Sequence, residues 1–161
     1  MKIYQITPRL VFKSDNRVYK FFNSDLECRE EVKRLNGSPI SEIYDEESQY
    51  KVKFVKILDV SDYFYTMEEA KGKCLTILNS VQDFQLAGSW LRCFHVATYN
   101  NKDKTAFLFG DFVAYHLYID HEQKEINAID PGVGFGKIGE IEIDISRFLV
   151  SLLQTKNFKI N

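Results

Sequence analysis

Hydrophobic and polar positions alternate through the opening of the chain. Ile3, Val11, Phe12, Val18, Tyr19, Phe21 and Phe22 are β-branched or aromatic, and Ser14-Asp15-Asn16 separates the runs RLVFK and RVYKFF, so the pattern predicts a β-hairpin. Asn23 and Ser24 are capping residues ahead of LECREEVKRL, where Leu26, Val32 and Leu35 keep roughly helical spacing and Asn36-Gly37 supplies a stop. A short amphipathic helix follows from that spacing. KVKFVKILDV (51–60) and YFYTM (63–67) read as two further strands joined by a turn at Ser61-Asp62. The period then changes. From Asp83 to Tyr99, the residues Phe84, Leu86, Ala87, Trp90, Leu91, Phe94 and Ala97 recur every three or four positions, as on a helix with one buried face. VAYHLYID (113–120) and EINAID (125–130) return to strand patterning around the loop His121-Glu122-Gln123-Lys124, and ISRFLVSLL (145–153) is apolar enough for a largely buried helix. Strands precede helices apart from that late hairpin, so the expected class is α+β in two lobes.

Composition narrows the function classes. The chain has 161 residues, 45% hydrophobic and 27% charged, which suits one sizeable core. Its 21 Lys and Arg against 23 Asp and Glu leave a formal charge of −2, with no basic stripe interleaved with aromatics, so nucleic acid is not an expected partner. Phosphate binding, if any, must be local. Cys28, Cys74 and Cys93 are an odd number without a C-x-x-C pair, which argues for small apolar residues in a reducing compartment over disulfides or a thiolate zinc site. The start MKIYQITPRL has no apolar core of an export signal, and no window approaches the roughly 18 apolar residues of a membrane span. A cytoplasmic location is the expectation.

The chemistry concentrates in LFGDFVAYHLYID (108–120) and INAIDPGVGF (126–135). Asp111 follows Gly110, Asp130 follows Ala128-Ile129, and the two lie 19 positions apart around the predicted hairpin, which can return both carboxylates to one mouth. Phosphoryl transfer needs such a pair, one carboxylate to orient a hydroxyl and accept its proton and another to hold the divalent ion on the nucleotide phosphates. The glycines beside them would allow phosphate oxygens close to the backbone. The plainer alternative is that each aspartate caps a turn. PGVGFGKIG lacks the order of a phosphate-binding loop and reads as a short activation-type segment facing an acceptor.

GDFVAYHLYID and INAIDPG resemble the catalytic loop and metal-binding segment of the aminoglycoside phosphotransferase and choline kinase-like branch of the protein-kinase-like superfamily, whose pattern is roughly H-G-D-F-x-x-x-N-x-x-x-D and then an apolar run ending I-D. The resemblance extends outward in order. VYKFF (18–22) resembles the strand with the nucleotide-gripping lysine, which implies Lys20, and CREEVKRL (28–35) resembles the helix with its carboxylate partner, Glu31 or alternatively Glu30. YFYTMEEAKGKCL (63–75) resembles the last N-lobe strand and hinge, implying nucleotide contacts from Met67, Glu68 and Ala70, with the backbone of the last two meeting adenine. SWLRCFHVATYN (89–100) resembles the long C-lobe helix, and IEIDISRFL (141–149) the segment whose aspartate, here Asp144, ties down the catalytic loop. These matches span roughly residues 11–153. They imply one protein-kinase-like domain, with a small antiparallel-sheet N-lobe (1–67), a hinge (68–72) and a reduced, mainly helical C-lobe (73–161). The implied activity is ATP-dependent phosphorylation of a hydroxyl on a small molecule, sugar or protein, with Asp111 as base, Asp130 on the principal magnesium and His116 near the second metal position. Ala70 and Asp111 are only 41 positions apart, too close for the helical insert with which antibiotic-modifying relatives hold substrates, which argues against aminoglycoside specificity.

Three departures from the pattern stand out. His116 occupies the position of the metal-binding asparagine, Phe109 that of the histidine before Gly-Asp, and the stretch from Thr7 to Asn16 has no glycine to cover phosphates. An imidazole suits magnesium poorly and manganese better. His116 therefore reads as a replacement for the amide, as a metal ligand, or as a ring satisfied by a backbone carbonyl. Lys20 also reads as a solvated edge-strand lysine, Glu31 as a solvated helix residue, and Asp144 as a helix cap. His95 reads as a hydrogen-bonded core histidine and His121 as a loop residue. The competing function class is a pseudokinase, a nucleotide- or protein-partner-binding module without turnover.

Overall fold

A computed structural model describes residues 2–5, 9–38, 40–77, 80–132 and 134–154. In chain order the first half comprises β1 (Lys2–Gln5), β2 (Val11–Ser14), β3 (Arg17–Phe21), α1 (Asp25–Asn36), β4 (Glu42–Asp45), β5 (Tyr50–Phe54), β6 (Ile57–Val60) and β7 (Phe64–Glu68). The second half comprises β8 (Lys73–Cys74), α2 (Val81–Val96), β9 (Ala106–Phe107), β10 (Leu117–Asp120), β11 (Glu125–Ala128), β12 (Ile138–Gly139) and α3 (Glu142–Gln154). They divide into two compact units, Met1–Ser38 with Val55–Glu69 and Pro39–Phe54 with Ala70–Asn161.

The first unit is an antiparallel sheet in the order β1-β2-β3-β7-β6 with α1 packed on β6 and β7. Its central hairpin turns at Asp15 and Asn16, with φ of 50° and 62°, the left-handed pair that matches strand twist in a two-residue turn. Alternation then sorts the side chains. Phe12, Tyr19, Phe21 and Phe64 stack in a half-buried ladder with ring centroids 5.0 to 6.3 Å apart, while Val18, Lys20, Tyr65 and Met67 are buried. The Ser24 hydroxyl accepts from Glu27 N to start α1, and Gly37 N–H returns to the carbonyls of Lys33 and Arg34 to end it. Cys28, Glu31 and Leu35 form the buried side of α1.

The second unit carries a mixed sheet, β4-β5-β11-β10-β8, in which β5 and β11 run parallel and the other pairs antiparallel. The long helix α2 starts at a capping box between Ser80 and Asp83. Its face Leu86, Ala87, Trp90, Leu91, Phe94 is buried, and Trp90, Phe94, Phe109 and Phe112 are wholly enclosed. Trp90 meets Phe109 edge-on at 5.2 Å and Phe112 nearly face-on at 5.5 Å, and its Nε1 donates to the Lys53 carbonyl at 2.8 Å.

Three sequence expectations change here, one of them the burial of ISRFLVSLL, where only Phe148, Ser151 and Leu152 are buried because the other side of α3 faces solvent. KVKFVKILDV is not one strand. Val55 and Lys56 break it, so β5 joins the second unit, paired to β11 through Val52 and Ile126, and β6 joins the first, paired to β7. Residues 39–54, expected within the first lobe, thus group with the second unit. VAYHLYID is strand only in its latter half, because Ala114–His116 closes a 3-10 turn in which His116 N donates to the Val113 carbonyl. Among the described residues no helix is long and apolar enough to cross a membrane.

Candidate active site

The residues singled out by sequence fall into two groups, one in each unit. In the first unit, register places Lys20 directly opposite Tyr65, so both side chains leave the same face of the sheet. Glu31, one turn into α1 from the buried Cys28, meets them there. Lys20 Nζ lies 2.8 Å from Glu31 Oε1, the Tyr65 hydroxyl donates to the same oxygen at 2.8 Å, and Arg9 Nη1 donates to Oε2 at 2.5 Å. Lys20 and Glu31 are each 4% exposed, whereas Glu30 is exposed. The Cys28 thiol is pushed up from its ordinary pKa by burial first and by the negative charge of Glu31 second.

Met67 is buried in β7, and Glu68 ends that strand with its N–H donated to the Lys56 carbonyl at 2.9 Å. That N–H is therefore already used. The boundary between the units falls between Glu69 and Ala70, and Ala70 is half-buried on the far side of it.

In the second unit a fully enclosed carboxylate organises the segment 109–111. Asp144, in the first turn of α3, accepts from Phe109 N at 2.7 Å, Gly110 N at 3.0 Å and His95 Nε2 at 3.0 Å. It fixes two consecutive backbone amides immediately before Asp111. His95 is thus a hydrogen-bonded core residue, and Phe109 fills the aromatic core in place of a polar ring. Gly110 has φ of 87°, and a Cβ there would lie 2.9 Å from Gly134 and Phe135 backbone, while one on Gly132 would lie 2.8 Å from Asp111 Cβ. The glycines let two loops press against each other. The segment 134–137 folds back on Leu108, with Phe135 buried against Phe54 and Phe94.

Asp111 and Asp130 come together at one imidazole. His116 Nδ1 lies 3.9 Å from Asp111 Oδ2 and His116 Nε2 lies 4.0 Å from Asp130 Oδ2. Nδ1 is also 3.1 Å from the Asp111 carbonyl oxygen, which can only accept, so Nδ1 carries a proton and donates to it. Both aspartate side chains are 39% exposed, and Asp130 adopts a left-handed φ of 50°. Of the three readings of His116, the backbone-satisfied ring describes Nδ1, and Nε2 is the nitrogen turned toward Asp130.

Four contributing residues were not singled out from sequence. Arg147, one turn after Asp144 on α3, donates to the Gly110 carbonyl and stands 3.8 Å from Asp111 Oδ1. The i, i+3 spacing of Asp144 and Arg147 was the available signal. Tyr115 lies edge-on to His116 at 4.6 Å, its hydroxyl pushed up from the ordinary pKa by burial and then by the charges of Asp111 and Asp130. Arg9 and Tyr65 complete the Glu31 cluster, and only the strand register reveals Tyr65. His121, expected as a loop residue, lies in the 121–124 turn with its ring between the Tyr50 hydroxyl and Asp83 Oδ1, each at 2.8 Å.

The donor set fits a nucleotide-borne divalent ion better than a resident one. Among the described residues no three His, Cys, Asp or Glu side chains are grouped closely enough to cage a metal. Asp130 offers a half-open hard oxygen and His116 Nε2 a nitrogen beside it, which suits an ion taking most of its ligands from phosphates and water.

No protein-family model matches the chain, and no curated protein sequence does. Solved structures do match. The aminoglycoside phosphotransferase APH(3'')-Id from Streptomyces rimosus aligns at TM-score 0.56 and 10% identity, over 96% of this chain and 78% of that one. APH(2'')-IIa, solved as a ternary complex with streptomycin and ATP, aligns at TM-score 0.58 and 14% identity over 89% and 69%. The amicoumacin kinase hAmiN, in complex with AMP-PNP, Ca2+ and Ami, aligns at TM-score 0.59 and 13% identity over 99% and 66%. At such identities the likeness speaks for architecture. The chain has the α+β, two-lobed protein-kinase-like fold found in the aminoglycoside phosphotransferases, with a small antiparallel-sheet N-lobe and a reduced C-lobe.

Proposed function

We propose that this chain is an ATP-dependent phosphotransferase acting on a hydroxyl of a small molecule, sugar or protein. The observation that carries the reading is the convergence of Asp111 and Asp130 on the two nitrogens of His116, at 3.9 and 4.0 Å, in a half-exposed site. In this reading Asp111 orients the acceptor hydroxyl and takes its proton, and Asp130 holds the magnesium on the nucleotide. When bound, the ion neutralises phosphate charge. Lys20, held by Glu31, takes the α and β phosphates. Met67, the Glu68 backbone other than its engaged N–H, and Ala70 take the adenine side. Asp144 and Arg147 keep the Gly110-Asp111 backbone in place. His116 Nε2 beside Asp130 supports use of manganese as well as magnesium. The reading carries with it an ATP-containing, reducing compartment, the cytoplasm.

The second reading, a pseudokinase, is favoured by the same His116, a nitrogen where a second magnesium would want oxygen. Nucleotide thermal shift with magnesium and with manganese, followed by ATP consumption in wild type and Asp130→Asn, separates the two. Asn tolerates the left-handed backbone at position 130. The enzyme reading expects turnover that falls at least about 100-fold in the variant. Binding without turnover establishes the pseudokinase, and no nucleotide stabilisation with either ion leaves a plain interaction domain.

A further inference from the structure

Four side chains stand in a row across the candidate site. Arg147 Nη1 lies 3.8 Å from Asp111 Oδ1, His116 Nδ1 lies 3.9 Å from the other oxygen of the same carboxylate, and His116 Nε2 leads on to Asp130 at 4.0 Å. Asp111 therefore has the imidazole on one side and the guanidinium on the other. Arg147 is the only cation of α3, and its helix neighbours Asp144 and Phe148 are buried, so it is presented from an anchored element. Nη1 also donates to the Gly110 carbonyl. Among the described residues the guanidinium makes no other hydrogen bond or ion pair, and its side chain is 53% exposed. A guanidinium committed to Asp111 would grip both oxygens with two short parallel bonds. This one stands off with a single nitrogen, and its Nε and Nη2 donors are left open.

We propose that Arg147 binds an anionic group of the acceptor, which is then a hydroxyl compound carrying a carboxylate or phosphate close to the hydroxyl that is phosphorylated. The acceptor part rests on the proposed function; the anion site does not. In phosphoryl transfer the attacking and leaving oxygens are roughly in line, so the acceptor lies opposite the nucleotide. With the nucleotide and its ion at the Asp130 end of the row, the acceptor hydroxyl meets Asp111 and the rest of the acceptor extends toward Arg147. The open fork of Nε and Nη2 matches the two oxygens of a carboxylate or phosphate. An amine-bearing acceptor meets like charge there and is selected against. A phosphate of the nucleotide itself is the competing source of the anion.

The Nε–H resonance of Arg147, identified by its loss in Arg147→Lys, reads the site directly in the 15N-labelled protein. Inorganic phosphate and glycerate, titrated at constant ionic strength, are expected to shift it saturably with a Kd on the order of 1–10 mM, and neutral glycerol to leave it in place. The shift is expected to persist when magnesium and AMP-PNP are saturating. A resonance that neither anion moves overturns the proposal, as does one that glycerol moves equally. Loss of the shift on binding AMP-PNP gives the anion site to the nucleotide and overturns the acceptor assignment. Anion binding by a wild type that takes no nucleotide ends the phosphotransferase reading and the acceptor with it, whereas nucleotide binding with a silent Arg147 ends this proposal alone.

Discussion

The Lys20 and Glu31 side chains are each 5% exposed and meet at 2.8 Å, while Asp111 and Asp130 are each 39% exposed with His116 and Arg147 nitrogens standing 3.8 to 4.0 Å away. The first pair is finished by the protein itself. Glu31 receives Lys20, Arg9 and Tyr65 together, and the cost of burying its charge is met by short charge-assisted contacts. The second pair is half-exposed, and in the proposed function its solvent side is where the nucleotide and its ion would bring charge. Asp144 shows that the second unit is equally able to close around a carboxylate, since it is 0% exposed and accepts from three donors. The openness of Asp111 and Asp130 is therefore local to those two residues.

That contrast breaks or holds in measurable ways. Asp144→Ala strands two buried amides and the His95 ring, and should cost about 3–5 kcal/mol by chemical denaturation, enough to unfold much of the second unit. Glu31→Ala leaves the Lys20 cation enclosed and should cost about 3 kcal/mol on the same measurement. Lys20→Met replaces the cation with a side chain of similar length while Glu31 keeps Arg9 and Tyr65, so the expected cost is about 1–2 kcal/mol, with nucleotide affinity reduced about tenfold. Asp111→Asn should stay within about 0.5 kcal/mol of wild type while losing turnover. A destabilisation as large as that of Glu31→Ala would erase the distinction between the clusters.

The smallest expected effect concerns Tyr115. Burial and the two aspartates hold its hydroxyl protonated above the ordinary tyrosine range, so neutralising Asp111 as Asn should move its ionisation to lower pH. Ultraviolet titration against a Tyr115→Phe reference reads it. Because the folded pKa is raised, Tyr115 contributes stability that is complete below the unfolded tyrosine pKa and lost as pH rises through the folded one.

Much of this was legible where the cause is local. The Asp15-Asn16 turn, the Ser24 cap and the α2 stripe are decided by neighbours a few residues apart, and the structure has them. Asp111 and Asp130 stood out because glycine or an apolar pair precedes each, and the 125–128 strand returns the chain between them. KVKFVKILDV misled because its apolar pattern continues across Val55-Lys56, and the partner that detaches β5 is β11, more than 70 residues on. The glycines near the site were expected to admit phosphate, whereas Gly110 and Gly132 admit the opposing loop. Tyr65, Arg9 and Arg147 stayed hidden because only register and tertiary packing bring them to a carboxylate. The apolar alternation that predicted a strand at 113–116 was satisfied by a 3-10 turn, and that turn is what carries the His116 ring to both aspartates.

In the proposed function Asp130 receives a metal–nucleotide complex beside Asp111. Calorimetric titration with AMP-PNP in the presence of magnesium or manganese tests it without needing the acceptor. One saturable site in the wild type, weakened at least about tenfold in a folded Asp130→Asn variant, is the predicted result; a 1.4 kcal/mol difference is enough to read it. Wild type that binds no nucleotide with either ion, or Asp130→Asn that binds as tightly as wild type, would rule out that role for Asp130.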